Sequence, residues 1–351
     1  MKESNLSSDK HELPPPTRPP MGSIWAWLNI ALTILLLAAG ILYLVGRVSL
    51  AALWQALVAA NLFYILLSLL TILSILLLKT WRWQLMFPPR QQAPPFMPLF
   101  WALLLGAYVN ILVPFFRLGE LARIFALDRL TIMSKTRTLG TLVLEKTLDM
   151  MMLGLLLAVV VSAVVIPDFL NETNSTLILG GAALIVLLVL ALIALKTEWI
   201  IRLMQAVFKY LPPSLAGRLT HWTITGLEGL AALRDRRLAL ILLGSSAVIA
   251  LISLLTPLLL FAAFHIPFGW VEAAVINIAI TLALVPPTTP GKIGIFDGVA
   301  AFLLLRFGLE NEATIAGFTI IFHLVAVLPL IILGSIAASR TGWQWRRSES
   351  R

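Results

Sequence analysis

The chain has 351 residues, of which 60% are hydrophobic and only 12% charged, and its mean hydropathy is +0.95. Soluble domains are roughly a quarter charged, so composition places this chain in a membrane. The formal net charge of +9 is spread over several loops, which speaks against nucleic acid as a partner; the absence of cysteine excludes disulfides, cysteine-bound zinc and iron–sulfur clusters.

Residues 1–23 are polar and proline-rich (Pro14, Pro15, Pro16, Pro19, Pro20) and read as a disordered cytoplasmic tail. The first apolar run, Ile24–Val45, is too long for the core of a signal peptide and reads as a retained membrane helix. Arg47–Leu57 reads as a short amphipathic piece, and Ala59–Leu78 as a second span. Lys79–Pro95 sets Lys79, Arg82 and Arg90 among Trp81, Trp83 and prolines, the pattern of an interfacial loop with aromatic anchors. Phe96–Val113 is apolar and ends at the stretch LVPFFRLGEL; a basic segment and a span from about Leu139 to Ile166 follow. In the second half, Leu177–Leu195 is a span and Lys196–Arg237 a long basic connection. Leu238–Phe264 is a span in which Pro257 predicts a kink. Trp270–Val285 leads into a second stretch, LVPPTTPGKI, and Ile293–Leu305 leads out of it. Ala313–Ala338 is the last span, followed by a basic tail at 339–351.

If every basic segment is cytoplasmic, as the positive-inside rule requires, Phe96–Leu127 must leave and re-enter the cytoplasmic side, broken at Pro114. Trp270–Leu305 then enters and leaves from outside, broken at Pro286 and Pro290. The expected fold is an all-α polytopic membrane protein with about six full spans and two re-entrant broken-helix hairpins. A count of eight full spans would put Phe115–Arg137 or its neighbours outside, against the charge rule. The transmembrane domain covers 24–338, as repeat one (24–166) and repeat two (177–338) with the connection 196–237 inside the latter. The shift that carries Leu112-Val113-Pro114 onto Leu284-Val285-Pro286 also carries Gly119 onto Gly291 and Glu120 onto Lys292. Three crossings per repeat give the two repeats opposite orientation, the plan of many transporters, with sites at broken helices near the midplane.

Backbone that leaves the helix inside a bilayer must be buried in protein or line a wet cavity. Pro114 and Gly119 are the expected breaks in the first stretch, and Pro286, Pro287, Pro290, Gly291 and Gly294 in the second. Gly119 is expected to open a helix whose free amides favour an anion, with Arg117 beside it. Arg117, Glu120 and Arg123 share about a third of the helix circumference, so two guanidinium forks separated by a carboxylate would suit a lipid phosphate. A solvated face with ordinary ion pairs accounts for the spacing equally well. Thr288 and Thr289 are candidate caps for the helix after Pro290-Gly291, with Lys292 in its first turn. A cation there opposes the helix dipole, a conflict that a bound anion would resolve; the plainer reading pairs Lys292 with Asp297. Glu145 and Asp149 lie on one helix face beside Lys146, and carboxylates at membrane depth are functional or paired. Asn110 can hydrogen-bond unwound backbone, and His323 is expected to make a hydrogen-bonded helix contact. The opposite charges of Glu120 and Lys292 raise direct pairing between the hairpins as a further expectation.

These stretches resemble the membrane region of lysylphosphatidylglycerol synthases and the flippase-like proteins related to it, over nearly the whole chain from Ile24 to Ala338. The first motif stands here as Asn110-x3-Pro114-x2-Arg117-x-Gly119-Glu120-x2-Arg123, followed by Glu145 and Asp149. The second is Pro287-x2-Pro290-Gly291-x2-Gly294, with Lys292 where many relatives look to have glycine. The resemblance implies movement of aminoacylated phospholipid between leaflets; relatives are linked to hopanoid and other lipid or glycolipid pathways. The aminoacyl-transfer domain of full-length synthases has no counterpart in these 351 residues.

The expected function is a flippase-like lipid translocase of the bacterial cytoplasmic membrane, with both termini cytoplasmic, moving or binding an anionic or aminoacylated (glyco)lipid. Arg117, Arg123 and Lys292 would bind phosphate while Glu120 steers access. The alternative is an accessory subunit that presents lipid to a partner lipid- or glycan-modifying enzyme. A lipid-modifying enzyme using Glu145 and Asp149 is a third reading, weakened by the lack of Gly-x-Ser-x-Gly or His-Glu-x-x-His. No cofactor or metal is expected, because the four histidines stand apart.

Overall fold

The computed structural model describes residues 49–87, 90–113, 118–131, 133–163, 235–286 and 289–342. Among them are nine α-helices and no strand. Ile24–Val45, Leu177–Leu195, most of Lys196–Arg237 and both tails beyond these limits lie outside the described residues.

The helices begin where sequence supplies caps. Helix α1 (Leu50–Ala59) is capped by Ser49, whose Oγ accepts from the Ala52 N–H at 3.1 Å. Helix α2 (Leu62–Leu85) is capped by Asn61, and the Asn61 N–H donates to the Ala263 carbonyl at 2.8 Å, tying the halves of the chain together. Helices α3 (Phe96–Leu112) and α4 (Leu118–Leu130) flank the first interruption and pack on each other; α5 (Lys135–Ala163) follows. Helix α6 (Arg236–Ala263) is capped by Asp235, and α7 (Trp270–Ala283) leads to the second interruption. A 3-10 turn at Pro290–Lys292 then precedes α8 (Ile295–Arg306), and α9 (Glu312–Arg340) is capped by Asn311.

Helices α2, α6 and α9 are long and apolar enough to cross a membrane. Helix α5 has the length but carries Glu145, Lys146 and Asp149 in its middle. The helices that flank the interruptions are shorter. At roughly 1.5 Å per residue, α3 and α4 reach about 26 and 20 Å, and α7 and α8 about 21 and 18 Å, short of the ~30 Å hydrocarbon core. Among the described residues, α2–α5 therefore run long, short, short, long at 24, 17, 13 and 29 residues, and α6–α9 at 28, 14, 12 and 29.

Helices α2 and α6 form the broadest packed pair, joined in its buried interior by Thr71 and Thr256 hydroxyls 2.7 Å apart. Pro257 sits inside α6, where proline withdraws the N–H that would bond the carbonyl four residues earlier. That carbonyl, of Ser253, instead accepts from Asn277 Nδ2 of α7 at 2.9 Å. Helix α9 crosses α3 closely at Gly334, where a Cβ would collide with Tyr108. Two large buried clusters, and a smaller one at Val160, Leu254, Ala274 and Ile278, fill the interior among the described residues. One large cluster is built on Trp83, Phe87, Leu99, Leu104 and Leu127; the other is aromatic, with Phe261 against Phe318 at 5.3 Å and Phe296 against Phe322 at 4.9 Å. Large apolar residues at helical spacing line the outer faces: Val248, Leu251 and Leu255 on α6, and Leu324, Leu328, Ile332 and Ile336 on α9. An apolar exterior around a partly charged interior is the arrangement lipid selects.

Two sequence-based boundaries are corrected. Helix α2 does not end at Leu78 but continues to Leu85, so Lys79–Leu85 is helix rather than interfacial loop, with Arg82 and Trp83 fully buried. The short piece expected at Arg47–Leu57 is the helix Leu50–Ala59.

Candidate functional site at the first interruption

Helices α3 and α4 approach each other at two glycines. A Cβ on Gly119 would meet the Gly106 carbonyl oxygen, and one on Gly106 would meet Arg123 and the Gly119 carbonyl. Gly119 is thus not a break: it lies in the first turn of α4, and its absent side chain lets the two backbones touch. Its N–H, one of the orphan donors of a helix start, donates to Asn110 Oδ1 at 2.8 Å. The expectation of a free Gly119 amide for an anion is overturned, because Asn110 already supplies the acceptor. The Asn110 amide then donates to Glu120 Oε2 at 3.0 Å, and Lys146 of α5 closes on Glu120 Oε1 at 3.0 Å.

Arg123 is buried and forks onto Glu145 of α5, Nη1 to Oε1 at 3.1 Å and Nη2 to Oε2 at 2.8 Å. Its guanidinium carbon stands 4.1 Å from the Trp83 ring centroid, and Trp83 Nε1 donates to Thr141 at 2.9 Å. Asp149, one turn beyond Glu145, accepts from Arg82 Nη2 at 2.6 Å; Arg82 also donates to Ser246 of α6 at 2.7 Å. Lys79 lies 3.8 Å from the other Asp149 oxygen. Both acids of α5 are therefore matched by buried arginines, with the bidentate geometry that favours an arginine over a lysine at Arg123. The Nε atoms of Arg82 and Arg123 are buried without a hydrogen-bond partner among the described residues.

The structure brings together Asn110, Glu120, Arg123, Glu145 and Asp149. It adds Lys79, Arg82, Trp83, Lys146 and Ser246; the sequence pattern reads the first three of these as loop. The signal for them lies in the acids of α5: carboxylates at membrane depth demand basic partners, and Lys79 and Arg82 are one helical turn apart. Pro114, Arg117 and Pro287 lie outside the described residues, as does Thr288.

At the second interruption, Pro286 follows α7 and Pro290 opens the 3-10 turn. Gly291 and Gly294 hold φ of 69° and 85°, the left-handed backbone that glycine adopts without steric cost. Thr289 does not cap a helix; its hydroxyl donates to the Ile293 carbonyl. Helix α8 starts only at Ile295, where Asp297 Oδ2 accepts from the Gly294 N–H at 3.0 Å. The other Asp297 oxygen is 2.8 Å from His323 Nδ1 of α9, so the expected Lys292–Asp297 pair is absent while the expected His323 contact is present. Direct Glu120–Lys292 pairing is also absent: Glu120 is held by Lys146 and Asn110, and Lys292 has no ion-pair partner among the described residues. The turn carrying Lys292 packs against α3, the helix that leads into the first interruption.

No curated protein and no solved structure matches the chain. The family model described as the lysylphosphatidylglycerol synthase TM region matches residues 28–334. That span contains every described helix except the end of α9, together with both interruptions and the whole charge cluster, and on it the chain belongs to the lysylphosphatidylglycerol synthase TM region family.

Proposed function

We propose that the protein translocates a lipid with an anionic or aminoacylated headgroup, the headgroup passing beside the two interruptions while the acyl chains stay against the apolar outer faces. Family membership supports a membrane protein concerned with lipid. The observation that carries the reading is the packing of the Pro290–Lys292 turn on α3, the helix that leads into the first interruption and whose Asn110 bonds the Glu120 that Lys146 pairs. Charged side chains at membrane depth are kept where they serve a polar path, and interrupted helices are tolerated where they line one.

The matching long–short–short–long series supports two repeats of opposite orientation, with α3–α4 and α7–α8 re-entering from opposite sides and the site between them. In this reading the membrane is a bacterial cytoplasmic one, with both termini inside. The protein acts by moving lipid rather than by bond chemistry, and Arg123 serves to lock α4 to α5 rather than to hold phosphate.

The test is leaflet exchange of headgroup-labelled phospholipids in proteoliposomes, with zwitterionic, anionic and lysyl-bearing lipids in parallel. Exchange above protein-free vesicles for at least one class is the expected result. No acceleration for any class removes the translocase reading in favour of an accessory protein that hands lipid to an enzyme.

A further inference from the structure

Asp297 and His323 form an acid–base pair at the second interruption. Asp297 Oδ2 accepts from the Gly294 N–H at 3.0 Å, while Oδ1 stands 2.8 Å from His323 Nδ1. An ionised carboxylate only accepts, so this bond places the imidazole proton on Nδ1 and leaves Nε2 as the basic nitrogen. The pair ties the start of α8 to α9, and the His323 ring meets Phe296 edge-on at 5.2 Å. His323 lies about 17 Å along α9 at roughly 1.5 Å per residue, well inside the span. Its side chain is 14% exposed and that of Asp297 33%, so the pair is not sealed from its surroundings.

Other charged and titratable groups on the helices packed against α8 and α9 are engaged elsewhere or stand at helix ends. On α2, Lys79 and Arg82 are held by Asp149, and Tyr64 meets the Phe63 ring. Tyr108 of α3 lies against Gly334, about three turns beyond His323. Glu272 of α7 accepts from the Gly269 N–H, and Arg306 of α8 lies over the Phe302 ring. Arg236 and Arg237 open α6, Glu312 and Arg340 stand at the two ends of α9, and α1 carries no titratable side chain. Lys292 precedes Asp297 without pairing with it. The imidazole and its carboxylate therefore titrate as a unit of two.

We propose that Asp297 and His323 form a proton-binding site whose loading closes the second interruption and couples lipid movement to protons. A proton taken up at Nε2 turns the imidazole into imidazolium, and the pair passes from one net negative charge to none. A net charge beside the buried rings of Phe296 and Phe322 demands water, whereas a neutral ion pair can be enclosed. Because the same carboxylate holds the Gly294 N–H, a change in the pair reaches the left-handed backbone at Gly291, Lys292 and Gly294. Imidazole is the side chain that changes charge near neutral pH, and carriers bind coupling ions at broken helices near the midplane. This deepens the translocase reading, on which it rests for the lipid movement that the proton drives.

The test uses the full-length chain in vesicles of phosphatidylcholine and phosphatidylglycerol, equilibrated at the same pH on both sides. The chain has no cysteine, so Ile293→Cys, at an exposed position beside Gly294, takes a single polarity-sensitive bimane. Between about pH 5.5 and 8.5 its emission is expected to shift to shorter wavelength on acidification, through one transition. His323→Asn keeps a donor where Nδ1 stands but cannot titrate, so it should bond Asp297 as before and lose the transition. His323→Gln serves the same end if the Asn variant fails to fold. His265→Asn removes the exposed imidazole before α7, at a φ of 55° that asparagine tolerates, and should keep the transition. Exchange of acyl-labelled phosphatidylglycerol between leaflets, read in parallel, should follow pH with the same midpoint and lose that dependence in His323→Asn. A parent without a transition, or a transition that survives loss of His323, overturns the proton site. Exchange that ignores pH while the emission follows it overturns the coupling. A transition that depends on His323 in a protein that exchanges no lipid at any pH retains the proton site and removes translocation.

Discussion

The Arg123–Glu145 pair shows why a buried charge is informative only with its partner. Two ions taken out of water gain little by pairing, but removing one leaves the other stranded at a cost of about 3–5 kcal/mol. Glu145→Gln should therefore lower the thermal unfolding midpoint of detergent-solubilised protein sharply, whereas Arg123→Met with Glu145→Leu should recover most of the loss. If the single and double variants unfold alike, the pair is not what locks α4 to α5. Glu145 and Asp149 are readable as paired or functional acids from their four-residue spacing. Their partners are not: Arg82 sits among tryptophans and prolines, and hydropathy treats the first lysine after an apolar run as the membrane edge. Helix α2 ignores that edge, because Arg82 is neutralised from α5 and so does not need water.

At the level of elements, the interruptions are legible because proline and glycine constrain backbone whatever surrounds them. Their internal geometry is not. Gly119 has the sequence signature of a break, yet it belongs to α4 and serves the approach of α4 to α3 at Gly106. In the second interruption the same signal does mean unusual backbone, at Gly291 and Gly294. Glycine alone does not distinguish a position that needs positive φ from one that needs no Cβ, since both disfavour every other residue. Gly119→Ala is the variant that separates them. Inserting a methyl group against the Gly106 carbonyl should push the two helices apart and cost about 1–3 kcal/mol, as overpacking does. A cysteine pair across the α3–α4 crossing should then cross-link more slowly in the alanine variant than in its glycine parent. Equal cross-linking and equal unfolding midpoints would mean the close crossing is not maintained in the membrane.

The whole molecule turns on whether the halves face opposite ways. Among the described residues, α2–α5 and α6–α9 share the order long, short, short, long, and long-range packing joins them, α2 on α6 and α9 on α3. Length and packing agree with opposed repeats, but they carry no sign: a helix packs equally well whichever end is cytoplasmic. Charge supplies the sign. The α4–α5 connection is flanked by Arg129, Lys135 and Arg137. The α8–α9 connection follows a single Arg306, holds Glu310 and runs into Glu312. In the proposed arrangement of opposed repeats these two connections correspond, and the positive-inside rule would put them on opposite faces. The chain has no cysteine, so single substitutions report cleanly. Thr136 and Glu310 are both exposed positions at these connections, where a thiol is reachable. In intact cells a membrane-impermeant maleimide should label Glu310→Cys, and should reach Thr136→Cys only after permeabilisation. Labelling of both from the same side would break the opposed arrangement and, with it, the placement of the two interruptions as facing halves of one path.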